Sequence, residues 1–482
     1  MRNIKNSKFN IRLPIFLAIG LSAGILIGAQ TAQNDDGSDN LYQSIQKFSD
    51  IMTHIKRDYV DDVNSEELVE TAISKMLEKL DPHSVYISAE DIKIAKSQLQ
   101  GEFDGIGIEF NIIRDTIYVV TPLSGGPSEK IGLMAGDKIV KVDGKTVAGT
   151  GITNMDVMNL LRGKKGTEVT VAIKRRGVKG LKDFTIVRDK IPQHSVEVAY
   201  MIDEKTGYLK VTRFSATTYD EFLESLEKLK DKGMERLVLD LQSNPGGYMD
   251  RAINMADEFI SGDKLIVYTE GKKPQYNQRA TAYRKGIFEK GALVVLIDEG
   301  SASGSEIVAG ALQDQDRALV VGRRSFGKGL VQMPIELKDG SELRLTISRY
   351  YIPSGRSIQK PYSEDIQDYY KDEMERYEHG EFFHADSIEF NDSLKYRTAG
   401  GRVVYGGGGI MPDYFVPLDT TGNSEYLAKL FYGNAIREYT LKYFERNRKK
   451  LERMSFEEYK QDFYVTNDMM DELIALGKDL GV

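Results

Sequence analysis

The chain has 482 residues, enough for two or three domains, and its 41% hydrophobic and 29% charged residues support packed cores. A net charge of -8 argues against a general nucleic-acid binder, which carries a basic stripe. There is no cysteine, hence no disulfide or thiolate metal site, and the five histidines (His54, His83, His194, His379, His384) form no HExxH pattern, so the sequence calls for no metal and no cofactor.

Arg2, Lys5, Lys8 and Arg12 precede a 17-residue apolar run, Leu13 to Ala29, followed by a polar stretch. That order is the one of a secretory signal or signal-anchor. No small-x-small cleavage site stands out, so residues 1–33 are predicted to anchor the chain in a membrane, with the remainder outside the cytoplasm. Residues 40–100 read as an N-terminal helical region, with Leu41, Ile45, Phe48, Ile51 and Met52 at near-helical spacing and a second amphipathic segment from Glu66 to Leu80.

Residues 101–190 change to short β-rich runs (Ile106–Phe110, Ile117–Val120, Lys138–Val142, Val169–Ile173, Phe184–Arg188) around one helical piece, Asn154–Leu161, which predicts a compact module. Its opening, Phe103-Asp-Gly-Ile-Gly-Ile-Glu-Phe110, places a glycine turn at Gly105, Ile106, Gly107 and Ile108 before a strand. Such a turn can hold a peptide carboxylate on backbone N–H groups while the peptide adds as a strand.

From 205 to 350 strands and helices alternate, which predicts an α/β layered core. The segment Leu237 to Gly247 runs from an apolar strand into Asn-Pro-Gly-Gly. The turn is either an ordinary one or a source of an N–H donor from Gly246 or Gly247. Residues 360–400 hold eleven acidic residues between Glu364 and Asp392, interleaved with aromatics, and are predicted to be a surface insertion, partly helical. Residues 421–482 read as helical again.

The chemistry concentrates in Gly291 to Gln332. An apolar strand, Leu293–Ile297, leads into a small-residue loop with Ser301, Ser303 and Ser305, and a helix opens at Glu306. Ser303-x-x-Glu306 is a capping box, so Ser303 can serve simply as a cap. The same helix end offers N–H groups, Gly304 among them, to a developing oxyanion. After a second apolar run comes Gly327-Lys328-Gly329. A lysine acts as a base only when neutral, and its free pKa is near 10.4, so this role demands burial. Gln332 is the candidate to orient it, although four residues of extended strand cover roughly 13 Å and a bend is required. Chain pattern alone does not choose among the three serines.

Together these residues resemble the carboxy-terminal processing, or tail-specific, proteases. The motifs are Gly300-Ser-Ala-Ser-Gly-Ser-Glu306, Phe326-Gly-Lys-Gly329 and Gln332, with Leu80-Asp-Pro-His-Ser84, Asp240 to Gly247, Arg349 to Gln359, and Gly408-Gly-Ile-Met-Pro-Asp413. Gly304 stands where the family usually has alanine, and Gln242 where it has arginine. The 101–190 module is similar to the family's PDZ domain, including Leu133 to Ile139. The resemblance implies a crotonase/Clp-protease-like layered core over 191–420, interrupted by the 360–400 insertion. It implies Ser303 as nucleophile, Lys328 as base, Gln332 as its orienting residue and an oxyanion hole from Gly304 with Gly246 or Gly247. Protein substrates with apolar C-termini follow by the same likeness, which also allows a homodimer, because family members form dimers through such helical ends. The N-terminal segment implies the periplasmic side of the inner membrane. The competing expectation is an inactive PDZ-bearing scaffold.

Overall fold

The computed structural model describes residues 40–363 and 366–482, so the predicted anchor over 1–33 lies outside the described residues. The chain divides into a first unit that ends at Ile73 and a second that runs from Ser74 to Val482. In the first unit the helix Leu41–Asp58 starts where Asn40 accepts the Gln43 N–H at 3.3 Å, and Lys56 and Arg57 sit in its last turn, where the helix dipole favours cations. The helix Ser65–Glu78 leads into the second unit.

Two sheets form the layered core of the second unit. The first has six strands in the order Val196–Met201, Thr206–Val211, Arg236–Asp240, Ala292–Ile297, Leu319–Gly322 and Tyr414–Phe415. Its first pair is antiparallel and the other four pairings are parallel. Parallel pairing needs crossovers, and the helices Thr218–Asp231, Met249–Asp257 and Gly304–Asp314 occupy them. The second sheet is antiparallel, with Val85–Ile87, Leu265–Gly271, Arg279–Thr281 and Leu330–Glu336 around the long strand Glu342–Tyr351. Leu209, Leu237, Leu239, Val295, Ile297 and Phe222 form one buried core with residues of the helix Gly304–Asp314. All 11 residues of that helix are buried, which its small side chains permit: a Cβ on Gly310 would stand 2.8 Å from Ile352 Cδ1.

The module that follows Gly101 is entered by Glu102–Gly105 and left by Asp189–Pro192, and these two segments pair antiparallel. Entry and exit therefore lie side by side, as an inserted domain requires. Within it, strands from Ile108–Ile112 to Lys182–Val187 wrap a separate core of Ile117, Val119, Ile139, Val157, Val171 and Ile186. The helix Asn154–Leu161 opens on a Thr153/Asp156 capping box. The C-terminal helices follow, and Arg114 of the inserted module pairs with Glu438 of the helix Ala435–Leu451 at 2.8 Å.

The helical region over 40–100 is interrupted by the strand Val85–Ile87, with Val85 opposite Arg344. Pro82 ends the helical pattern, and Val-Tyr-Ile is a β-forming run that completes the edge of the antiparallel sheet. The 360–400 segment is not a surface feature alone. Its helix Ile366–Glu378 buries Tyr369 and Arg376, and Phe382 and Glu381 are buried after it. The acidic count pointed to solvent, but Glu381 is drawn in by Arg324 of the loop that leads to Lys328 (Nε at 2.7 Å) and by Arg376 of the segment itself (Nε at 2.9 Å), and Arg376 also donates to the backbone of that loop.

Candidate active site

A cleft of about 830 Å³ runs past Ser303, Lys328 and Gln332 and is walled by Gly246, Gly247, Tyr248, Ile307, Leu330 and Tyr350. Lys96, Leu99 and Gln100, from the helix that leads into the inserted module, close one side, and Lys96 pairs with Glu336 across it.

Ser303 ends the loop after the strand Ala292–Ile297 with φ +53 and ψ -109. An ordinary cap residue has extended dihedrals, so this conformation is strained for a non-glycine residue. The surroundings hold it: Ala302 N–H donates to Asn244 O at 2.9 Å, Ser301 Oγ to Leu241 O at 2.8 Å and Ser305 Oγ to Asn244 O at 2.9 Å. Ser301 and Ser305 are thus spent on the scaffold, and of the three loop serines Ser303 is the one that lines the cleft.

Glu306 ties the two candidate residues together. Its carboxylate is wholly buried and accepts four hydrogen bonds. Ser325 Oγ (2.6 Å) and the Gly327 N–H (2.7 Å) reach Oε1, while the N–H groups of Ser303 (2.8 Å) and Lys328 (2.9 Å) reach Oε2. Burial pushes its pKa up to about 7 against the pull of those four donors. The capping box was the sequence signal for Glu306; that the same carboxylate also grips the lysine loop was not legible. Tyr350, also buried, places its hydroxyl 3.1 Å from Ser303 O and against Lys328 O, a second clamp on the same two residues.

Lys328 is half-buried, and desolvation lowers its pKa below the ordinary lysine value. The negative charges of Glu306 and Asp81 oppose that shift, and Arg344 adds to it. Behind the lysine loop, Arg376 donates to Arg324 O at 2.7 Å and Ser325 O at 3.2 Å, and Tyr369 meets Phe326 edge-on. His83 Nε2 lies 2.8 Å from the Tyr369 hydroxyl, and its pKa falls to about 3 through burial, with the Lys328 charge contributing. His83 is therefore neutral near pH 7.

The bend needed after Gly329 exists as a β-bulge between Val331 and Gln332. It brings Gln332 to the cleft, but the amide of Gln332 bonds to Thr346 Oγ1 at 3.3 Å and not to Lys328. The oxyanion expectation changes at one position. Gly246 N–H is committed to Asn244 Oδ1 at 2.9 Å, so Gly246 is not a donor. Its role is space: at φ +92, a Cβ there would stand 2.7 Å from Ser303 Cβ and 2.8 Å from Gly304 N. The N–H groups of Gly304 and Gly247 make no hydrogen bond within the described residues. In the inserted module, Ile106 O accepts from the Ser128 N–H (3.1 Å) and Gly107 O from the Leu123 N–H (3.0 Å); the Ile106 and Gly107 N–H groups themselves donate no backbone hydrogen bond within the described residues.

A strained serine at the start of a buried helix and a partly dehydrated lysine in one cleft fit a serine peptidase, with a PDZ-like module inserted ahead of it. Peptidase family S41 matches residues 205–367, a PDZ domain 105–186, the activating protease CtpB N-terminal domain 25–91, and a family of unknown function 426–482. A carboxy-terminal-processing protease of Bartonella bacilliformis is 39% identical over 355 residues, 72% of this chain and 80% of that protein. The carboxy-terminal processing protease CtpA of Bacillus subtilis is 35% identical over 338 residues, 70% of each. Among solved structures, a photosystem II D1 C-terminal processing protease is 30% identical, with a TM-score of 0.38, covering 65% of this chain and 83% of that one. The chain belongs to the carboxy-terminal processing proteases, which are serine peptidases.

Proposed function

We propose that the protein is an endopeptidase with a Ser303–Lys328 dyad that selects exported proteins by an apolar C-terminal tail held on its PDZ domain. The observation that carries this reading is the joint grip of Glu306 on the backbone of Ser303 and Lys328, which holds the strained serine and the partly dehydrated lysine along one cleft. Ser303 Oγ attacks the scissile carbonyl as neutral Lys328 Nζ takes its proton. The resulting oxyanion is received by the Gly304 and Gly247 N–H groups. The lysine then returns the proton to the leaving amine, and water repeats the sequence on the acyl-serine. Gln332 orients Lys328. On the PDZ domain, the Ile106 and Gly107 N–H groups receive the tail carboxylate, and the tail lies beside Ile108–Ile112 as an added strand. The basic and apolar order of residues 2–29 supports an anchored, extracytoplasmic enzyme.

The test is cleavage of an unfolded reporter carrying either an apolar or an acidic C-terminus. Wild type is expected to cut the apolar-tailed reporter faster, and Ser303→Ala and Lys328→Ala to cut neither. Cleavage retained by either variant would overturn the dyad, equal rates on the two tails would overturn tail selection, and an inert wild type that still binds the tail would establish a scaffold.

A further inference from the structure

In the loop Leu80–Ser84, Asp81, Pro82 and Ser84 are buried although none of them lines the cleft. Asp81, 7% exposed, accepts four hydrogen bonds: the N–H groups of His83 and Ser84 at 2.8 Å each, Ser84 Oγ at 2.6 Å and Thr346 Oγ1 at 3.0 Å. Thr346 sits on the strand Glu342–Tyr351, directly opposite Gln332 at the bulge, and its N–H donates to Ser84 Oγ at 3.1 Å. The Gln332 amide then meets Thr346 Oγ1 at 3.3 Å. These contacts form one line from Asp81 through Thr346 to Gln332.

The line has a polarity. An ionised carboxylate only accepts, so the Thr346 hydroxyl must spend its single proton on Asp81. Its oxygen then faces Gln332 with lone pairs alone. Only the NH₂ end of the Gln332 amide can bond to it, so the carbonyl end is the one left over. An isolated glutamine amide can turn end for end at small cost, and the network decides which end faces where. A lysine that works as a base must keep its lone pair for the serine proton, so its own N–H groups need an acceptor, and a carbonyl oxygen is one.

We propose that Asp81 and Thr346 are positioning residues that lock the Gln332 amide with its carbonyl oxygen presented to Lys328. This rests on the reading above that Gln332 orients Lys328. It assigns a catalytic consequence to a loop that lies more than two hundred residues from the serine in sequence, and it explains why the bulge places Gln332 opposite a hydroxyl residue and not an aliphatic one.

The experiment uses the full chain with the apolar-tailed reporter and four variants: Gln332→Ala, Thr346→Val, Thr346→Ser and the double variant Thr346→Val with Gln332→Ala. Thr346→Val keeps the β-branched shape and the Asp81 charge and removes only the hydroxyl. It is expected to lower kcat about tenfold, the size of one hydrogen bond of this kind, with KM changed by less than about twofold. Thr346→Ser restores the hydroxyl and is expected to recover most of the loss. In the Gln332→Ala background the valine substitution is expected to cost less than about twofold more, because the two residues act in one line. Losses that multiply in the double variant, or a Thr346→Val enzyme with wild-type kcat, would overturn the proposal. Wild-type activity in Gln332→Ala would instead overturn the reading on which it rests. If Thr346→Val does not fold, Thr346→Ala makes the same cut and is read the same way.

Discussion

Glu306→Gln separates the structural grip on the dyad from the dyad itself. The substitution preserves shape and converts one of two accepting oxygens into an NH₂ group. Oxygen is required where the Ser303 and Lys328 N–H groups converge, since neither can turn away. The amide nitrogen therefore faces Ser325 Oγ and the Gly327 N–H. The serine hydroxyl can rotate to accept, but the Gly327 N–H is left without a partner in a buried site, at a cost of about 1–3 kcal/mol. A displacement of the lysine loop by about an ångström costs on the order of 10²-fold in turnover. The expected result is a folded enzyme with a lowered melting temperature and kcat reduced by about that factor. There is also a pH signature. The folded-state pKa of Glu306, about 7, lies above its ordinary value of 4.5, so the folded chain holds an extra proton between the two. That contribution to stability is present below 4.5 and lost as pH rises through about 7. Glu306→Gln removes this component of the slope. Melting curves from about pH 5 to pH 8, with kcat measured on the reporter, test both parts. A variant with wild-type kcat and an unchanged pH slope would refute the grip.

Other substitutions probe neighbouring parts of the same account. Gly246→Ala meets Ser303 Cβ at 2.7 Å and must hold φ +92, so it is expected to lose at least about 2 kcal/mol of stability and nearly all turnover, read by thermal melting and reporter cleavage. Arg376→Met removes the donors to Arg324 O and Ser325 O and one partner of buried Glu381; a loss of about 3–5 kcal/mol by denaturant titration is expected, with a fall in kcat because the loop it supports carries Lys328. Phe214 O would lie 2.1 Å from a Cβ on Gly247, so Gly247→Ala is expected to block folding of the turn and yield little soluble enzyme.

Much of the architecture was legible in the chain. The alternation after 205 predicted a layered α/β core, and the apolar runs Leu237–Leu241 and Leu293–Ile297 stand in its parallel sheet, because strands buried on both faces read as continuous apolar stretches. The inserted module was visible through the change to short β runs. Ser303, Lys328 and Gln332 do reach one cleft. What stayed hidden was long-range. Asp81 meets Thr346 across 265 positions and Glu306 meets Lys328 across 22, and no local periodicity encodes either contact. The bulge at Val331–Gln332 was foreseen only as a need to bend. The choice between Gly246 and Gly247 stayed open because two adjacent glycines look alike in sequence, whereas Asn244 takes the Gly246 N–H for its own turn. The burial within the 360–400 segment was missed because composition counts charges and does not show that Arg324 and Arg376 converge on Glu381.

The central claim is that Lys328 works as a neutral base. It is tested most directly by kcat/KM for wild type and Lys328→Arg from about pH 6 to pH 10, since an arginine side chain stays charged throughout. Because burial lowers the Lys328 pKa from its ordinary value of 10.5, the account predicts a wild-type rate that rises through one ionisation below that value to a plateau. It also predicts a Lys328→Arg enzyme that is folded and inactive at every pH. A wild-type profile flat across the range, or turnover by Lys328→Arg, would contradict it.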